Sequence, residues 1–235
     1  MQQFMADLPA ARVERVEKVF LKCAVDFAGP IKVKTSKLRN AKAVKGYIAI
    51  FVCFVTKAIH IELVGELTAE SFVAALRRFV ARRGRVSDIS SDNGPNFVKS
   101  EKFLKELSKI ELEQFQTTIN NELLRLEIKW HFTPPASPHF NGLVEAAVKT
   151  TKYHLKRQIG DSALTVEEWT TLLCQIEAVA NSRPICEMSN DPNDTTVLTP
   201  ALFLNLTPMV MVPDEDLSES KSSYLTRWKQ VQNLQ

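Results

Sequence analysis

Apolar and polar residues alternate from residue 19. In "VFLKCAVDF", Val19, Leu21, Cys23 and Val25 share one face, and Phe20, Lys22, Ala24 and Asp26 the other. The pattern predicts a strand with Asp26 on its less apolar face, at the strand's end, just before Gly29-Pro30. The run from Tyr47 to Val55 is apolar on both faces, as a central strand is, and "AIHIEL" (58 to 63) alternates again after a short "TK" turn. These runs predict an antiparallel meander. At Thr68 the period changes, and Phe72, Val73, Leu76, Phe79 and Val80 mark a helical stripe capped by Thr68 and ended near Gly84.

"VSDISS" then reads as a short strand running into "SDNGPNF" (91 to 97), whose Asn, Gly and Pro are turn formers. The polar, leucine-punctuated stretch from Ser100 to about Glu127 reads as one or two helices. After it come the strand "IKWHF", the loop "TPPASPHFNG", a helix carrying Glu145, and a second helix from about Thr165 to Ser182 closed by Pro184. The order βββαβ(α)βαα predicts an α/β fold: a mixed five-stranded sheet flanked by helices, with a helical insert between the fourth and fifth strands.

Composition narrows the class. The chain has 235 residues, 45% of them hydrophobic and 24% charged, which suits one sizeable globular domain or a domain with an appendage and gives no sign of general disorder. Cys23, Cys53, Cys174 and Cys186 show no C-x-x-C spacing and read as reduced thiols, and the histidines at 60, 131, 139 and 154 do not complete a zinc module with them. "GYIAIFVCFV" is too short for a membrane span, and the N-terminus lacks a signal-peptide layout, so an intracellular, soluble protein is expected. Net charge is only +3 but uneven. Arg77, Arg78, Arg82, Arg83 and Arg85 crowd one segment, and Lys149, Lys152, Lys156 and Arg157 another, which fits a polyanionic partner. The arginine segment reads first as a solvated helix end and only second as a DNA contact.

The chemistry gathers around three acids: Asp26 on the first strand, Asp92 after the fourth, and Glu145 on the helix after the fifth. If strands one and four are neighbours, both aspartates emerge together and the helix brings its glutamate to them. Clustered carboxylates repel unless a hard cation joins them. Such a set can hold two magnesium ions about 4 Å apart, one activating an attacking oxygen and the other steadying the leaving oxygen of a phosphodiester. On the Glu145 helix, Lys149 and Lys152 come next on the same face.

The stretches "VDFAGP", "SDNGPNF", "PPASPHFNGLVEAAVK" and "NSRP" resemble the integrase catalytic core of retroviruses and LTR retrotransposons, most closely of Pao/BEL elements. The resemblance covers about residues 15 to 205, and "DPND", "LTPALFL" and "RWKQVQ" are similar to the segment beyond the core in those elements. It implies a ribonuclease H-like fold, with residues 15–205 as the core and 206–235 as an extension of linker plus short helix. In that extension Tyr224, Leu225, Trp228, Val231 and Gln232 form one stripe.

The resemblance also implies an integrase-type polynucleotidyl transferase that trims element DNA ends and joins them to target DNA. It carries over Asp26, Asp92 and Glu145 as catalytic residues and as ligands of Mg2+ (or Mn2+). Lys149, Lys152 and Lys156 become DNA contacts, and His139 and Asn141, in the loop before the helix, approach the scissile phosphate. DNA partners, a homo-oligomer and nuclear location at the time of integration are implied with it. The interval between Asp92 and Glu145 is longer than in typical retroviral integrases, and Val144 stands where Pao/BEL cores often have tryptophan. Two other readings are a truncated or domesticated, non-catalytic nucleic-acid-binding protein and, ranked lower, a ribonuclease H-like nuclease.

Overall fold

The structure is a computed structural model that describes residues 18–38, 40–91, 109–132, 138–159, 163–189, 191 and 196–207. For 109–116, 132, 138–141 and 157–159 it describes the backbone alone. In chain order the elements are β1 (Lys22–Lys34), β2 (Ala43–Cys53), β3 (Ile59–Val64), α1 (Ala69–Arg83), β4 (Asp88–Ser91), α2 (Lys109–Arg125), β5 (Lys129–Phe132) and α3 (Pro138–Ile159). Then come the short β6 (Leu164–Thr165), α4 (Val166–Asn181), β7 (Cys186–Glu187), β8 (Val197–Leu198) and α5 (Pro200–Asn205).

The main path of the sheet runs β3-β2-β1-β4-β5, with β6 pairing β1 off that path. β1, β2 and β3 form the expected antiparallel meander, while β4 runs parallel to both β1 and β5. The mixed five-stranded sheet and the helical insert between β4 and β5 are both present.

Parity along the strands assigns each side chain to a layer. Cys23, Val25, Ala49, Phe51 and Cys53 pack with Phe72, Leu76 and Phe79 of α1 and with Ile119 and Leu123 of α2. Ala24, Ala28, Ile48, Ile50 and Val52 pack with Val144, Ala147 and Val148 of α3 and with Trp169, Leu172 and Ile176 of α4. β2 is apolar throughout because helices cover both of its faces. Asp26, even-numbered like Ala24 and Ala28, belongs to the α3 face.

Caps fix the helix ends where the sequence puts them. The Thr68 hydroxyl accepts from Ser71 N at 3.2 Å, and Gly84 closes α1 at φ 81°. Thr165 and Glu168 form a reciprocal capping box at the start of α4.

Two expectations need correction. β1 does not stop near Asp26. Ile31 and Val33 resume pairing with Gly46 and Val44 after a register shift between Ala28 and Ile31, so Asp26 lies inside a thirteen-residue strand. Gly29-Pro30, a cis peptide, sits at that irregularity, one of the few places where a strand accepts proline. The loop before the Glu145 helix is also shorter than expected. α3 begins at Pro138, which suits the first helical position, so His139 and Asn141 fall in its first turn.

α4 closes the outer side of β3. Ile59 N donates to Asn181 Oδ1 at 2.8 Å, Asn181 Nδ2 donates to Ile59 O at 2.8 Å, and Ile61 N donates to Glu177 Oε2 at 2.8 Å. Arg183, from the same "NSRP" stretch, donates through Nη2 to Lys57 O at 2.9 Å. The side chains of one helical turn thus stand where a neighbouring strand would.

Candidate active site

Asp26 and Glu145 reach one cleft from different elements. Its walls are Ala24, Val25 and Asp26 of β1, Ser90 and Ser91 of β4, and Val144 and Glu145 of α3. The parallel register pairs Lys22 with Asp88, Cys23 with Ile89 and Ala24 with Ser90, which sets the end of β4 beside the first part of β1, just before Asp26. Asp26 is half-buried, and Phe27 N donates to its Oδ1 at 2.7 Å. Ser91, at the end of β4, is held by Trp130 Nε1 of β5, which donates to its Oγ at 2.9 Å. Val144 is buried in the core one position before the exposed Glu145, so packing of α3 on the sheet aims the carboxylate.

Asp92 lies outside the described residues, and among those described no three His, Cys, Asp or Glu side chains gather as a metal site. The two acids that do meet bring hard anionic oxygens into a cleft whose described walls hold no basic side chain. That donor chemistry fits magnesium or manganese and does not fit a thiolate-seeking metal. Lys149, Lys152 and Lys156 are exposed along α3 on the face of Glu145. For His139 and Asn141 the backbone is described and the side chains are not. The extension from residue 208 lies outside the described residues.

The arginine segment is occupied otherwise. Arg77 Nε donates to Glu122 Oε1 at 2.7 Å and Nη2 to Oε2 at 2.8 Å, a bidentate pair between α1 and α2. Arg78 Nε and Arg82 Nη1 donate to Glu62 at 2.6 and 3.2 Å, Arg83 pairs with Glu177, and Arg85 with Glu127. Arg77, Arg78, Arg82 and Arg83 therefore tie α1 to β3, α2 and α4, and Arg85 pairs with Glu127 beyond the helix ends.

Fully buried His60 lies at the centre of this network. Its Nε2 is 3.1 Å from Glu62 Oε1, and its Nδ1 lies 3.1 Å from Glu177 Oε2 and 3.2 Å from Arg83 Nε, so the ring sits between two carboxylates and a guanidinium. Burial alone lowers the His60 pKa, but the bonds to Glu177 and Glu62 outweigh burial, and the pKa stands above the usual imidazole value. Burial pushes Glu62 up, yet the hydrogen bonds from His60 and Arg78 win and hold it below the usual carboxylate value. Pattern reading missed this cluster because Glu62 and Glu177 are distant in sequence. The signal was the charged residues at 60 and 62 inside an otherwise apolar strand.

No protein-family model matches the sequence, and no characterised protein matches it significantly. Solved structures match its fold. A chain in the cryo-EM structure of the simian T-cell lymphotropic virus intasome, in complex with PP2A regulatory subunit B56 gamma, superposes with TM-score 0.53 at 16% identity. That match covers 92% of this chain and 66% of the other, so this chain spans about two thirds of that neighbour's length. The catalytic core domain of BIV integrase matches with TM-score 0.47 at 20% identity, covering 77% of this chain and 91% of that one. With the strand order above, the fold is ribonuclease H-like.

Proposed function

We propose that this chain is the catalytic core of an integrase-type polynucleotidyl transferase from an LTR retroelement of the Pao/BEL kind. The observation that carries the reading is the convergence of Asp26 and Glu145, far apart in sequence, on one cleft at the end of β4. In the sequence Asp92 follows Ser91, a residue that lines this cleft. Asp26, Asp92 and Glu145 are assigned as the ligands of Mg2+ or Mn2+. When bound there, the metal supplies activation of the attacking oxygen and stabilisation of the leaving oxygen of a phosphodiester.

The chain's own residues do the rest. The Phe27 amide fixes one carboxylate oxygen of Asp26, and the buried flank of α3 holds Glu145 opposite it. Lys149, Lys152 and Lys156 neutralise phosphates of the DNA laid along α3. His139 and Asn141, in the first turn of α3, approach the scissile phosphate. The trimmed 3′-hydroxyl then attacks a target phosphodiester in line, with no covalent enzyme intermediate. Two DNA ends brought to one target require several copies of the chain, and the neighbour drawn from an intasome supports the same expectation. Residues 15–205 form the core of this reading and 206–235 an extension, and its place of action is the nucleus.

Incubation of the purified chain with magnesium and a duplex of the element's terminal sequence tests the proposal. End trimming and strand joining are expected; binding without either product under magnesium and manganese would overturn it.

A further inference from the structure

Along α3 one large aromatic stands among the lysines. Tyr153 is 55% exposed, while Val144, Ala147, Val148, Thr151 and Leu155 are buried against the sheet. At about 100° of rotation per residue, these buried positions centre on one side of the helix and Tyr153 falls opposite them, facing solvent. Exposed Lys149 and Lys156 lie one turn before and after it, and Lys152 adjoins it. The ring meets the neighbouring His154 edge to face at 5.6 Å between centroids.

We infer that Tyr153 is a stacking platform for an unpaired base of the DNA strand that the lysines hold, an inference that rests on the DNA-joining reading above. The lysines attract phosphates without regard to sequence, and an aromatic face among them adds stacking that any base can accept. Bases within an intact duplex are already stacked on each other, so the ring selects DNA that is frayed or carries a tail. The eight residues from Glu145 to Tyr153 span about 12 Å of helix axis. At about 3.4 Å per stacked nucleotide, the ring stands three to four nucleotides from the bond held at the carboxylates. Tyr153 is thus a positioning residue that favours opened ends over closed ones.

The full chain, as wild type, Tyr153→Ala and Tyr153→Phe, is titrated against a blunt duplex and against the same duplex with a short unpaired tail containing 2-aminopurine. Tyr153→Ala should weaken binding of the tailed DNA by about fivefold to a hundredfold, as loss of one stacked base does, and abolish quenching of the 2-aminopurine. Blunt-duplex affinity should stay unchanged, and Tyr153→Phe should behave as wild type. An equal loss on both DNAs, or none on the tailed one, would overturn the inference while leaving the DNA reading standing. Failure of the wild type to bind either DNA would overturn the DNA reading and this inference with it.

Discussion

Two parts of the molecule use carboxylates in opposite ways. Between β3, α1 and α4, Glu62 and Glu177 are met by Arg78, Arg82, Arg83 and His60, so each buried negative charge has a cation against it. Between β1, β4 and α3, Asp26 and Glu145 approach one cleft whose described walls hold serines and small apolar groups and no basic side chain. The first arrangement is complete without any ligand. The second is where the proposed function puts a metal cation. Residue type alone does not tell the two arrangements apart, but the charged groups described around each do.

The sharpest way to break this contrast is to neutralise each kind of carboxylate. Asp26→Asn or Glu145→Gln should reduce DNA trimming and joining by about a thousandfold or more, since each removes an anionic ligand of the proposed metal site. Their urea midpoints should match the wild type. Retained product formation would remove that residue from the site.

Glu177→Ala should do the reverse. It leaves Arg83 and His60 short of a partner and Ile61 N–H unsatisfied, and breaking such a buried pair costs about 3–5 kcal/mol, read as a fall in the urea midpoint. A midpoint within experimental scatter of the wild type would show that solvent replaces the network.

Lys149→Ala with Lys152→Ala sharpens the comparison on the α3 side. If both lysines neutralise phosphates, the slope of log affinity against log salt should become shallower by about two, equally for all DNA sequences. An unchanged slope would return both residues to ordinary surface roles.

The smallest effect is in the pH profile of stability. The raised pKa of His60 contributes stability that is fully present below the usual imidazole range and is lost as pH rises through the His60 value in the folded protein. The lowered pKa of Glu62 contributes stability present above the usual carboxylate range and lost as pH falls through its folded value. Thermal melts should therefore weaken as pH rises above the usual imidazole range in the wild type, and His60→Gln should remove that component alone. The same slope in His60→Gln would assign it to another group.

Local signals made much of this legible. The period-2 runs give the β1–β3 meander, the change of period at Thr68 gives α1, and the Thr165 cap with Pro184 beyond the end brackets α4. Local signals cannot show continuation through a breaker or pairing across distance. Gly29-Pro30 reads as a stop, yet Ile31 and Val33 go on pairing because Val44 and Gly46 opposite them supply partners. Pro138 reads as loop, yet proline fits a first helical turn and α3 starts there. At the candidate site, Asp26 and Glu145 line one cleft because β1 and β4 are neighbours, a strand order that the sequence reading could state only as a condition. The pairing of the arginine segment was not legible because its partners Glu62, Glu122 and Glu177 come from three other elements.

The bonds from Asn181 and Glu177 to β3 also bear on solubility. A sheet margin with open amide and carbonyl groups is a template onto which another extended chain can add, the first step of cross-β aggregation. Here that template is filled by two side chains one helical turn apart, so its protection lasts only as long as the final turn of α4 stays wound. Fraying at Asn181 would therefore reopen this margin of the sheet without global unfolding.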